Sequence, residues 1–125
     1  MNADEWRLSF EIAWDDPWFR SQSIATIAGC MTGILLFLMR LIPAGLRDGV
    51  VVFHYNAYLG IDEVHHWMWS IIFSLILFFI VILDIALAIH LFRKDRVASR
   101  VLLVTSTLFT AISLIGGFFI TSVNL

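Results

Sequence analysis

Charge is scarce in this chain. Asp, Glu, Lys and Arg make up 14% of its 125 residues, where soluble domains carry about a quarter. That shortfall excludes an ordinary solvated globular domain. There is one cysteine, Cys30, which excludes an intrachain disulfide framework and a cysteine metal motif. The formal net charge of −2 supplies no basic surface for nucleic acid. Met1–Arg20 lacks the basic start and apolar core of a signal peptide. It carries Asp4, Glu5, Glu11, Asp15 and Asp16 instead, so the first membrane segment is expected to stay in place as an anchor. No lipobox or prenylation box is present. No catalytic motif stands out, and the chain is expected to be no enzyme and to hold no cofactor.

Apolar residues fill the space that charge leaves. They form 60% of the sequence, and the mean hydropathy is +0.89. Three long apolar runs stand out: Ser21–Met39, Trp67–Leu83 and Val101–Leu125, none with a charged residue and the last the longest. A helix needs roughly 20 apolar residues to cross about 30 Å of hydrocarbon. The expected fold is therefore an all-α membrane protein in a single domain, residues 1–125. Three transmembrane helices are placed at 21–43, 66–92 and 101–123. An interfacial segment occupies 1–20, an outer capping loop 44–65 and a basic inner loop 93–100.

Within the first segment, Trp6, Phe10, Ala13 and Trp14 fall at helical spacing, with Asp4, Glu5, Arg7 and Glu11 on other faces. Trp6, Trp14 and Trp18 suit the headgroup layer. An alternation through Trp6, Leu8, Phe10, Ile12 and Trp14 also fits a strand. Helix is preferred, because an unpaired strand beside lipid leaves its backbone unsatisfied. Asp15-Asp16-Pro17 reads as a helix start with Asp16 as its cap. Pro43-Ala44-Gly45 reads as the end of that helix. Arg47-Asp48-Gly49 is a turn signal, and Val50–Phe53 a short β-type run. Asp62 reads as the cap of the second membrane helix, with Glu63 in its first turn. The 46–62 stretch is expected to be an ordered cap, with Asn56 and Asp62 side chains satisfying turn backbone groups.

Orientation follows the cations. Arg93, Lys94, Arg96 and Arg100 crowd the 93–100 loop, whereas the 44–66 connection holds only Arg47. Positive loops stay in the cytoplasm. The N-terminus is then inside and the C-terminus outside.

Asp84 is the most costly residue, with an insertion cost on the order of 3 kcal/mol near a helix centre. Ser70, Ser74 and Ala88 share its helix face. It is expected to face protein and to bond a Ser, Thr or backbone group, with Phe109, Thr110, Ser106, Thr26 and Cys30 at similar depth. Its role is then packing, contact with a partner, or ion and proton relay. Ser106, Thr110, Ser113, Gly117 and Thr121 form a small-residue stripe on the third helix. Ser21, Ala25, Gly29 and Gly33 form another on the first. Such stripes let helices approach closely in lipid, against one another or against another protein. The 54–66 segment gathers His54, Tyr55, Asn56, Asp62, Glu63, His65 and His66. Imidazole with carboxylate suits zinc or copper. However, the adjacent His65 and His66 cannot share a helix face, so solvent-facing histidines in an interfacial loop are the plainer reading and no metal is assigned. His90 lies at the opposite end from these histidines, so no pair brackets a haem. Arg40 is expected to snorkel to the outer headgroups, within reach of Trp67 and Trp69.

The string His54-Tyr55-Asn56-Ala57-Tyr58-Leu59-Gly60-Ile61-Asp62 resembles one found in uncharacterised small bacterial membrane proteins. It lies there, as here, between the first two membrane segments. The resemblance implies a bacterial membrane protein and no activity; the expected location is the inner membrane. It covers about ten residues plus the helix arrangement. The acidic, Trp-rich N-terminus and Asp84 depart from the pattern. The expected partners are membrane lipid and either other membrane subunits or further copies of the chain. The leading expectation is a non-catalytic accessory subunit of a larger membrane complex. The alternatives are a transporter or channel component using Asp84, and a metal protein using the 54–66 loop.

Overall fold

Asp16 ends one helix and begins the next. Its backbone is extended, and its carboxylate accepts the Phe19 N–H at 2.9 Å, as an N-cap should. Pro17 follows at the first helical position, where no N–H is needed. The computed structural model describes residues 3–56 and 60–124, with side chains throughout these except at 54–63. The elements are α1 (Ala3–Asp15), α2 (Pro17–Asp48), β1 (Val50–Asn56), β2 (Gly60–His66), α3 (Met68–Phe92) and α4 (Arg96–Val123). Helices α2, α3 and α4 are each long and apolar enough to cross a membrane. The fold is the helical one expected, with one strand pair added.

The three long helices form an antiparallel bundle. α2 and α4 run from a basic end toward a hairpin end, and α3 returns. Their large apolar side chains point outward as well as inward: Leu35 is 59% exposed, Phe79 62% and Ile112 67%. A patch of that extent is not sustained in water, so the bundle is built for lipid. Its interior is made of small and medium residues, including Cys30, Val81, Ala88 and Leu103, and is closed at the basic end by the edge-on Phe19–Phe92 pair at 5.1 Å. α1 folds back against that end. Ala13 is fully buried there, and Trp6 and Ile12 pack on the same core. The α1 spacing is thus helical, and the alternative strand is not formed.

Several boundaries differ from expectation. α2 does not stop at Pro43 but runs five residues further, to Asp48. Proline removes one helical hydrogen bond, normally a serious loss. Here the turn beyond it is held by packing: Ala44 and Gly45 are buried, as is Leu41 just before the proline. The true stop is Gly49, with φ 77°, whose N–H bonds the Gly45 carbonyl at 2.7 Å, the left-handed cap for which glycine is suited.

Asp62 does not cap α3. It lies with Glu63 in β2, and α3 begins only at Met68. No side chain caps that helix start, although Met68 N–H approaches His66 Nδ1 at 3.4 Å. The basic loop is also shorter than 93–100. Asp95 caps α4 by accepting from Val97 and Ala98 N–H at 2.9 and 3.0 Å, so Arg96 and Arg100 belong to the helix.

Residues 44–65 are therefore not an irregular loop. They comprise the last turn of α2 and most of an antiparallel hairpin, paired Val50↔His66, Val51↔His65 and Val52↔Val64. The ladder slips at Phe53 and again at Asp62, which bends the ribbon.

Candidate functional site

Polar chemistry inside the bundle is concentrated between α2 and α4 near the basic end. Thr26 and Thr107 hydroxyls meet at 2.7 Å, and Gln22 Nε2 donates to Thr107 Oγ1 at 2.7 Å. Each hydroxyl also has a carbonyl of its own helix within reach, Thr26 that of Gln22 and Thr107 that of Leu103; one threonine donates to its carbonyl while the other donates to its fellow threonine. Such interhelical bonds contribute about 0.6 kcal/mol each in membranes, sometimes up to ~1.7. Sequence reading missed this cluster, because Gln22 and Thr107 lie outside both small-residue stripes.

The α4 stripe faces inward. Ser106, Thr110 and Thr121 are buried, and Ser113 and Gly117 are half-buried. A Cβ on Gly117 would sit 3.2 Å from the Phe37 ring, so α2 and α4 pack through that position. The Thr110 hydroxyl bonds the Ser106 carbonyl at 2.9 Å. The Ser106, Ser23 and Ser70 hydroxyls have no hydrogen-bond partner among the described residues.

The α2 stripe behaves differently. Its packing face is Ser23, Thr26, Cys30 and Gly33, all buried, rather than Ser21, Ala25 and Gly29. Gly33 serves both rows: a Cβ there would overlap the Leu114 side chain. Gly29 would meet nothing within 4 Å. Ser21 and Ala25 are exposed.

Asp84 is half-buried on the flank of the α3 packing face. It makes no hydrogen bond or ion pair with any described residue, contrary to expectation. Its depth also differs. Ser99 Oγ donates to the Ala88 carbonyl at 2.7 Å, which fixes the antiparallel register of α3 and α4. Asp84, four residues outward of Ala88, is then level with Leu103, and not with Phe109. The longer α4 accounts for the shift, since that helix starts at Arg96 and not at Val101.

At the basic end, Arg100 reaches back across the chain to Asp16 at 3.0 Å and lies over the Trp18 ring at 5.2 Å. The Phe19 N–H and, secondarily, the Arg100 guanidinium hold the Asp16 carboxyl below the usual carboxylate range. Arg96 covers Phe92 at 5.2 Å.

At the hairpin end, Asn124 clasps β1. Its Oδ1 accepts the Val52 N–H at 2.8 Å, and its Nδ2 donates to the Val52 carbonyl at 2.7 Å and to Ile120 at 2.8 Å. Val51 is fully buried beside it. Rings of Phe53, His65, Trp69 and Phe73 form a chain of contacts between 5.4 and 6.0 Å. The hairpin is thus docked on the bundle, as the ordered cap requires. The side chains of His54, Tyr55, Asn56, Asp62 and Glu63 lie outside the described residues. Among the described residues no three His, Cys, Asp or Glu side chains gather as a metal site would need. Arg40 stacks on neither Trp67 nor Trp69. It lies instead at the wall of a cavity of about 630 Å³ between α2, α3 and α4. Comparison with protein-family models, with curated proteins and with solved structures gave no match to this chain.

Proposed function

We propose that this chain is a non-catalytic accessory subunit of a larger membrane complex. The observation that carries the reading is the face of α2 at Ser21, Ala25 and Gly29. It is a small-residue face that the bundle leaves unused, with open space where a Gly29 Cβ would stand. Within lipid such a face favours close approach of another helix. The test is purification in a gentle detergent from the native membrane, read by native mass spectrometry against the 14.3 kDa chain. A stable foreign partner is expected, and Gly29→Leu should shed it without changing the thermal stability of the isolated chain. A lone monomer, or a complex indifferent to Gly29→Leu, would sink the reading. The half-buried, unpartnered Asp84 favours a second reading, a conduit component. A homo-oligomer enclosing Asp84 in the same measurement would support that instead.

The proposed setting is a bacterial inner membrane, in line with the resemblance carried by residues 54–62. The proposed topology has the basic end in the cytoplasm and the hairpin outside, by the distribution of Arg and Lys. Cysteines introduced singly at Val97 and Asn56 test it in sealed inverted and right-side-out vesicles. The position-56 cysteine should react with an impermeant maleimide from outside and the position-97 cysteine only from the cytoplasmic side. The opposite pattern means that the topology is inverted.

A further inference from the structure

We propose that the cavity at the hairpin end binds one acyl chain of an anionic phospholipid, with Arg40 holding the headgroup phosphate. The inference rests on the membrane-spanning reading of the helices and is independent of the subunit reading.

The cavity volume, about 630 Å³, lies within the ~300–1,000 Å³ of pockets that take small ligands. Its walls are apolar, with Ile34 and Phe37 from α2, Leu77 and Ile80 from α3, and Leu114 and Phe118 from α4. Along α4 the wall runs from Phe109 to Thr121, about 18 Å at 1.5 Å per residue. One leaflet of hydrocarbon is about 15 Å deep, so the length matches a single acyl chain. Leu36, Ile76 and Phe118 on its border are more than half exposed, so the cavity opens sideways to lipid rather than to water.

The charge decides which lipid. Among the described residues, Arg40 is the only charged one on the wall. It is exposed and makes no ion pair with any described residue, whereas Arg47, two turns on, is paired with Asp48 at 3.0 Å. Twenty residues of α2 separate Arg20 from Arg40, about 30 Å along the axis, which is the thickness of the hydrocarbon. Arg40 therefore stands at headgroup level above an apolar slot. The other polar groups do not compete for the headgroup: Ser74 and Thr121 hydroxyls are bound to carbonyls of their own helices at 2.8 Å, and Ser113 lies eight residues before Thr121 on α4, about 12 Å deeper in the slot. A guanidinium matches a phosphate in charge and geometry. An apolar partner helix in the slot would leave that guanidinium unanswered.

Photo-crosslinking tests the site in the full chain. Phe118, 65% exposed at the mouth of the cavity, is replaced by the larger benzoylphenylalanine, and the protein is reconstituted in vesicles of equal parts phosphatidylglycerol and phosphatidylcholine. Phe79, 62% exposed and off the cavity wall, serves as the bulk-lipid control. Phospholipid adducts are expected at both positions, with phosphatidylglycerol enriched about fivefold at position 118 over position 79, as one cation at headgroup level allows. Arg40→Gln should keep the adduct and abolish the enrichment. Equal ratios at the two positions, enrichment that survives Arg40→Gln, failure to label at 118 while 79 labels, or a predominant protein adduct at 118 would each overturn the proposal.

Discussion

Gly45→Ala is expected to destabilise the protein by about 1–2 kcal/mol, while Gly29→Ala stabilises it or leaves it unchanged. Alanine is favoured over glycine within a helix by up to ~1 kcal/mol. At Gly29 nothing opposes that gain, since a Cβ meets no atom within 4 Å. At Gly45 the Cβ would overlap the Cβ of Trp67 and lie 2.9 Å from its Cγ and 3.3 Å from Val51 Cγ2. A Cβ cannot rotate away, so the junction of hairpin and helix must move. Overpacking of this kind costs about 1–3 kcal/mol, which outweighs the propensity term. Unfolding in micelles gives the sign, and amide exchange at Val51–Phe53 shows whether the hairpin has lifted. A Gly45→Ala protein as stable as the parent, with those amides still protected, would refute the packing argument.

Asn124→Ala should loosen the same hairpin from its other side. The variant leaves the Val52 N–H and carbonyl without the partners they have at 2.8 and 2.7 Å. An unmet, partly buried backbone group costs about 1–3 kcal/mol. Asn124→Asp should do no better: it keeps an acceptor for Val52 N–H but loses the donors and turns a carboxylate toward two carbonyl oxygens. The Val52 amide should exchange faster in both variants. Unchanged exchange in Asn124→Ala would show that the clasp carries no weight.

The long helices were legible because apolar runs of this length have one solution in lipid. The Asp16 cap and the inward α4 stripe were legible for local reasons, a carboxylate before proline and hydroxyls at strict helical spacing. The failures are equally physical. Pro43 and Gly45 carry the usual marks of a helix end, but burial of the following turn outweighs one lost hydrogen bond. Gly45 is small because the Cβ and ring base of Trp67 press on it, a contact formed across the hairpin and invisible along the chain. The start of α4 was hidden by Arg96 and Arg100, since cations in a first turn oppose the helix dipole. Their compensation comes from Phe92 and from Asp16, which is 84 residues away. The phase of α2 was ambiguous because Ser21–Ala25–Gly29 and Ser23–Thr26–Cys30 are both small rows ending at Gly33. Lipid tolerates either face, so only tertiary packing selects one.

The contact between Val52 and Asn124 joins residues 72 apart, and this separation imposes an order on assembly. As the chain is made, α2 and the hairpin emerge before α4 exists. The junction at Gly45, Val51 and Trp67 is local and closes as soon as α3 pairs with α2. The Val52 backbone must then wait in water until α4 arrives from the far side of the bundle. Once the helices are aligned, closure of the remaining chain costs little, since loop entropy grows only slowly with length. The clasp thus cannot form before α4 is in place, and the hairpin remains half-fastened until the third long helix is seated.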